Sequence, residues 1–570
     1  MLNDNLNTYS IADSIRQVRY YFDQVDGAVP IGDTNHRYVP TKVPAMPTNT
    51  IDNGYITFNI SPPGENMIDL YNTFISGYVD GECIITTETE PADEKVPKYD
   101  GEVYKERAAE TATSSKTETA PTGSNVTAIK AIDTKYAGGK SCAHLPAIWL
   151  GYIDSFYAVE SYQLIANGKS VYTQDNAREE GYITSTASTT EAIKKVDVFS
   201  KARHKDVFNR CDTVRSGQII EFNKPISGAT TLKFHIPIKI DLRRFLILNN
   251  IRFLPAFAGN LQLKVKFSIA GMVWTPLSYQ DILPLPNMQA NVTSYIPITN
   301  HFTPIYEGIK VIDTVTWNAD KSTISFGTKF IKFTKKNANF FEMITYCNSF
   351  SLDPNIYSDL VTRYSAKTLN FPIKRIDCIT MDGSMAKGEG TPCTFTAAFT
   401  PLYVNTIYTL FKKTPNYNTT YENPLFEQIQ LNCGAYGNIP AEAQASNDPI
   451  FYEMQANATN NNNDTVGFNY DVMRSITTTS VPQFGIESND LGHYLCGFPC
   501  ETDYTFQQGQ LSNSPITYKL TVKPTAESIN YTEKLVLCFL RHVCLSIQIK
   551  PVGPLIVLLD DYDLSAPASE

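Results

Sequence analysis

The side chains in this sequence with metal-ligand chemistry are His493, Cys496 and Cys500, with His542 and Cys544 downstream. Structural zinc sites usually space their paired ligands more tightly and more regularly. Cys544 also falls on the inward side of an alternating run, where a free Cys behaves as a small apolar residue. The cluster therefore reads as core thiols. Gly139-Lys140-Ser141 has the form of the tail of a phosphate-binding loop. That pattern needs Gly where Thr134 stands, and no apolar strand leads into it. The sequence contains no dinucleotide Gly fingerprint, no His-Glu-x-x-His, no Gly-x-Ser-x-Gly elbow and no EF-hand ladder. Carboxylates are plentiful, but sequence alone pairs no two of them across a cleft, as glycosidase chemistry requires. The expectation is a protein that is not an enzyme, with no catalytic residue, cofactor or metal.

The composition describes the body that such residues would sit on. A chain of 570 residues is too long for one core, and two domains with extensions is the natural division. Apolar residues make up 42% and charged residues 19%, which suits a globular chain. The 33 Tyr and 30 Phe are a strand-forming vocabulary. A net charge of −10 argues against nucleic acid as the main partner, because phosphate binding needs excess Lys and Arg. The best basic patch, Lys194, Lys195, Lys201, Arg203, His204 and Lys205, reads as a solvated loop. Eleven Cys, an odd number with mostly unpaired spacing, suit reduced thiols. The N-terminus has no apolar signal core, and the most apolar tract, Leu535 to Leu559, is broken by Arg541, His542, Lys550, Pro551 and Pro554. A soluble product is expected.

Two alternating runs are the framework. Leu232, Phe234, Ile236, Ile238, Ile240 and Leu242 alternate with Lys233, His235, Pro237, Lys239 and Asp241. Leu261, Leu263, Val265, Phe267 and Ile269 alternate with Gln262, Lys264, Lys266 and Ser268. A period of two puts one set on each face of a strand, so both runs predict half-buried β structure. Each fully buried large side chain contributes about 1.5–3 kcal/mol, so eleven inward positions supply much of a sandwich core. Pro237 moves its strand towards a sheet edge or a bulge.

Along the chain, Ser10 with Asp13 resembles a helix cap, and Ile11, Ile15, Val18 and Phe22 then share one helical face. This short N-terminal helical arm, residues 1–50, either docks on its own domain or grips a neighbouring subunit. Ile56, Phe58 and Ile60 open the sheet language. Residues 86–127 form a low-complexity insertion too poor in apolar groups to pack. Ile148 to Phe156 is expected as a short helix, Val159 to Ala166 as a strand, and Asn167-Gly168 as a hairpin turn. Asn176 to Lys195 is expected as a polar tract. Prolines cluster through 276–310, the expected linker. Later alternations at Ile376 to Thr380, Ile429 to Cys433 and Tyr518 to Val522 place a second set of strands in 311–570, with a polar insertion at 440–480. The first set spans 51–275.

Four stretches carry a family resemblance. They are Phe58-Asn59-Ile60-Ser61-Pro62 with Ile68-Asp69-Leu70; Ile153 to Val171; the two framework runs with Phe253-Leu254-Pro255 between them; and Cys433-Gly434 to Pro440. Together they resemble the double jelly-roll major capsid proteins of the adenovirus-hexon lineage, most of all those of Polinton-type elements, adintoviruses, virophages and polinton-like viruses. The insertion at 86–127, early in the first sandwich, departs from the pattern. The resemblance implies an all-β chain of two consecutive eight-stranded jelly-roll sandwiches with long loops. It further implies a homotrimer forming a pseudo-hexameric capsomer of an icosahedral virion, in contact with neighbouring capsomers and with penton or minor capsid proteins. The helical stripe Ile11, Ile15, Val18 and Phe22 would latch beneath one of these or an internal membrane. Two other readings stand beside it. One is a single jelly roll of the parvovirus type; the other is a cellular β-sandwich that binds or cleaves carbohydrate, thinly supported by Trp149, Trp274 and Trp317.

Overall fold

The computed structural model describes residues 36–44, 55–88, 147–187, 216–221, 229–281, 293–317, 324–352, 368–381, 391–411, 426–445, 496–500, 515–524, 535–548 and 555–559, apart from short gaps within these ranges. In chain order the strands are β1 (His36–Pro44), β2 (Tyr55–Asn59), β3 (Asn66–Asp69), β4 (Phe74–Glu88), β5 (Ala147–Tyr152), β6 (Val159–Ala166) and β7 (Lys169–Gln174). Helix α1 (Ala177–Ala187) precedes β8 (Ser216–Glu221) and β9 (Thr230–Asp241). The one-turn helix α2 (Leu246–Asn249) leads to β10 (Phe253–Pro255), β11 (Leu261–Phe267) and β12 (Val273–Asp281). Then come β13 (Thr293–Pro297), β14 (Thr303–Pro304), β15 (Gly308–Trp317) and β16 (Ile324–Leu352). The remainder are β17 (Thr368–Met381), β18 (Cys393–Phe399), β19 (Val404–Phe411), β20 (Phe426–Asn432), β21 (Asn438–Ala445), β22 (Cys496–Pro499), β23 (Ile516–Pro524), β24 (Leu535–Gln548) and β25 (Leu555–Leu559).

The second half is the simpler. Its sheets run β17-β24-β19-β22 and β18-β23-β20-β21, with β25 added to β24. Lettered B to I in chain order, β17 to β24 give B-I-D-G facing C-H-E-F, the jelly-roll wrapping. One apolar core joins the two sheets through Ile407, Phe411, Leu537 and Phe539 on one side and Phe395, Leu431, Tyr518 and Leu520 on the other.

The first half repeats the plan with additions. The sheet β2-β11-β6-β7 is C-H-E-F, and β12-β5-β8 is I-D-G, with β13 and β14 paired outside β12. The connections from C to D and from G to H supply β3, β4, β9 and β10. These join β16 in a 7-stranded sheet to which β1 and β15 also belong. All eleven inward positions of the framework runs are buried. The strand holding Pro237, β9, ends the path of its sheet and, among the described residues, pairs with β4 alone, a place where proline is tolerated. The all-β, two-sandwich expectation is met in these sheets.

Local expectations fared unevenly. Asn167 (φ 50°) and Gly168 (φ 79°) form the β6–β7 turn, both left-handed as a two-residue hairpin of the mirror-image type demands. The helix expected over Ile148 to Phe156 is instead strand β5 followed by a single 3-10 turn at Ser155–Ala158. Ile148, Trp149 and Leu150 are all buried, and a short run buried on both faces has no periodicity to separate strand from helix. The expected polar tract from Asn176 contains α1. Of the insertion expected at 86–127, residues 86–88 instead complete β4, and of that expected at 440–480, residues 440–445 belong to β21. The remainder of both, and the Asp382-Gly383 turn, lie outside the described residues.

Candidate functional site

The arm residues Ile11, Ile15, Val18 and Phe22 lie outside the described residues, as do His493, Gly139-Lys140-Ser141 and the side chains of His542 and Cys544. Cys496 is buried in the second core, and Cys500 is half-buried. Among the described residues no group of three or more His, Cys, Asp or Glu side chains converges as a metal site. Trp149 and Trp274 are fully buried, so neither can stack on a sugar ring. The side chain of Trp317, the third residue of the carbohydrate reading, lies outside the described residues.

What the fold does assemble is a joint between the sandwiches. Strand β19 is buried along its whole length, and so is β24 from Leu535 to Arg541. Alternation explains how. Ile407, Phe411, Leu535, Leu537 and Phe539 enter the second core, while Tyr408, Leu410, Val536, Cys538 and Leu540 point the other way into the core of the first half. One sheet therefore serves two hydrophobic layers. At about 1.5–3 kcal/mol per fully buried large side chain, the outer set alone outweighs any single polar contact across the joint.

A polar network sits at its margin. Glu180, in the first turn of α1, is fully buried. Its carboxylate accepts from the Tyr162 hydroxyl at 2.8 and 2.9 Å, from Gln174 Nε2 at 2.8 Å and from the Leu246 backbone N–H at 2.9 Å. Burial pushes its pKa up to about 7, against these stabilising donors. Across the joint, the Arg375 guanidinium lies 5.4 Å from the Tyr172 ring centre. Asp377 accepts from Arg375 Nε at 2.7 Å and from the buried Arg541 Nη1 at 2.8 Å. The sequence reading missed Glu180 by assigning its segment to a polar tract. The available signal was Asn176 with Glu179 three residues on, a capping pattern before Tyr182 and Ile183. Fully enclosed and fully hydrogen-bonded, this carboxylate is placed to hold elements together, since no substrate can reach it.

A second feature faces outward. On β4, Phe74, Tyr78, Asp80 and Glu82 alternate with buried Ile75, Val79 and Cys83. Tyr78 stacks on His235 at 4.6 Å, and His235 Nδ1 bonds to the Asp80 carboxylate. Phe74 stacks on Tyr346 at 4.9 Å with Lys239 Nζ 4.7 Å above it. Phe341, in register with Tyr78, is 44% exposed. The β16 register shifts between Phe341 and Ile344, with Glu342 at φ 49°. A side chain on Gly77 would strike Met343 Sδ, so glycine there lets the bulge seat Met343 inward and leave Phe341 outward. The face is aromatic and carries both signs of charge.

No protein-family model matches the chain, and no curated protein matches it in sequence. Solved structures do resemble it over nearly its whole length. The mavirus major capsid protein is 10% identical with a TM-score of 0.43, the likeness covering 100% of this chain and 99% of that one. The Sputnik virophage structure is 10% identical with a TM-score of 0.44, covering 95% and 92%. The Faustovirus major capsid protein is 10% identical with a TM-score of 0.39, covering 95% and 97%.

Proposed function

We propose that this chain is a viral major capsid protein that trimerises into pseudo-hexameric capsomers and tiles an icosahedral shell in the virion. The observation that carries the reading is the joint: two jelly-roll sandwiches share one doubly buried sheet, which makes a stiff double wall of the kind a shell subunit needs. A complete second jelly roll also speaks against the single-sandwich alternative. The outward aromatic face around Phe74, Tyr78 and Phe341 suits subunit contact, where aromatic anchors dominate binding energy and obligate interfaces bury about 2,000–5,000 Å². In this reading residues 1–50 are an arm and 311–570 hold the second sandwich. The first runs past the expected boundary at 275 to the end of β12 at Asp281, which leaves 282–310 of the expected 276–310 link between them. The stripe Ile11, Ile15, Val18 and Phe22 latches onto a neighbouring capsomer, a penton or minor capsid protein, or an internal membrane.

Light scattering on the purified chain tests it. A stable trimer, three times the 63.6 kDa chain, is the expected result, and a persistent monomer at micromolar concentration overturns it. Deleting residues 1–27 should leave the trimer and weaken shell assembly; unchanged shells would refute the latch.

A further inference from the structure

Cys378 on β17 and Cys538 on β24 stand directly opposite each other in an antiparallel pair, their sulfur atoms 3.1 Å apart. Opposed residues in such a ladder have Cα atoms about 4.5 or 5.5 Å apart, inside the window a disulfide tolerates. Forming the bond, about 2.05 Å long, asks the sulfurs to close by about 1 Å, a small rotation of two short side chains. The other described thiols are differently placed. Cys347, Cys393 and Cys500 lie against backbone carbonyls of Asn59, Thr391 and Phe498.

We propose that Cys378 and Cys538 are a cross-strand disulfide pair, closed by exchange with a small-molecule disulfide such as oxidised glutathione once the chain meets an oxidising compartment. One thiolate attacks a sulfur of the oxidant, releasing one glutathione thiolate and leaving a mixed disulfide. The second thiolate then attacks the protein-side sulfur and releases the other. The two cysteine protons end on two reduced glutathione molecules, and the two electrons go to the bond that was broken. Cys538 is fully buried and Cys378 half-buried, with burial and the nearby Glu179 and Asp377 carboxylates holding the Cys378 thiol protonated. Exchange in the closed fold is therefore slow and proceeds through brief local openings of the strand pair. The reduced state expected from the odd cysteine count describes the compartment of synthesis, and the closed pair describes a later one.

The bridge would span 160 residues of sequence and fix the B and I strands on the face turned to the first sandwich. A loop that long is the kind whose closure most restricts the unfolded chain. The full chain should be produced in a host with a reducing cytoplasm and in one with an oxidising folding compartment. Each sample is then denatured with N-ethylmaleimide and mapped without reductant. Oxidised protein should yield one cross-linked peptide pair containing Cys378 and Cys538, and should melt about 5–10 °C above the reduced protein. In Cys378→Ser, a near-isosteric change, the cross-link and the melting difference should both disappear. Free Cys378 and Cys538 in oxidised protein, a link from either to another cysteine, or a melting difference that survives Cys378→Ser would each overturn the proposal.

Discussion

Gln174 of β7 donates its amide to the backbone carbonyl of Ile376 in β17 at 2.8 Å, and the same nitrogen lies 2.8 Å from Glu180 Oε2. One side chain thus ties the last strand of a hairpin in the first sandwich, the helix packed on it and the opening strand of the second sandwich.

Replacing it tests the tie. Gln174→Ala takes one donor from the buried Glu180 carboxylate, which keeps Tyr162 and Leu246, and removes the bond to the Ile376 carbonyl, a loss of about 1–3 kcal/mol. Urea unfolding should show that loss, with the two halves separating into distinct transitions as the link between them weakens. A single unshifted transition would show that the apolar contacts alone hold the joint.

The network also sets a pH dependence. Glu180 has an ordinary value of 4.5 and is raised to about 7 in the fold, so the folded chain binds its proton more tightly than the unfolded chain does. Its contribution is fully present below about pH 4.5, falls as pH rises towards 7, and is level above that. The difference is of order 3 kcal/mol. Melting temperatures of the wild type should carry this downward slope between pH 4.5 and 7, and Glu180→Gln should flatten it.

Asp377 is the shared anion of Arg375 and Arg541, and Arg541 is buried. Removing one member of such a group leaves a charge enclosed without its counter-ion, at about 3–5 kcal/mol. Asp377→Asn should lower the urea midpoint accordingly, and the double variant Asp377→Asn with Arg541→Met should recover much of the loss.

Val265, fully buried on β11, pairs with Ile56 on one side and Tyr162 on the other. Val265→Asp places a lone charge in the first core and should prevent soluble expression. Recovery of normally folded chain would mean that this strand tolerates a reversed face.

Where one face of a strand meets water, the letters were sufficient. Leu232 to Leu242 and Leu261 to Ile269 announce both strand and facing, because polar residues, lysine the commonest among them, or a proline occupy the alternate positions. Where both faces are covered, the pattern disappears. Leu535 to Leu540 is simply apolar, and only the fold reveals that alternate residues serve different cores. Glu180 was hidden for a related reason: a charged letter signals exposure, and its burial depends on Tyr162, Gln174 and Leu246 arriving from three other elements. Phe341 likewise owes its outward display to a bulge and to Gly77, which lies 264 positions earlier, on another strand.

The doubly covered sheet binds the fate of one half of this polypeptide to the other. A fragment starting at Thr368 would present Tyr408, Leu410, Val536 and Leu540 to water as a naked apolar slab. Such a piece should aggregate when made by itself, and a truncated transcript or an early proteolytic nick would yield debris in place of a smaller building block. The halves must be synthesised, folded and inherited together.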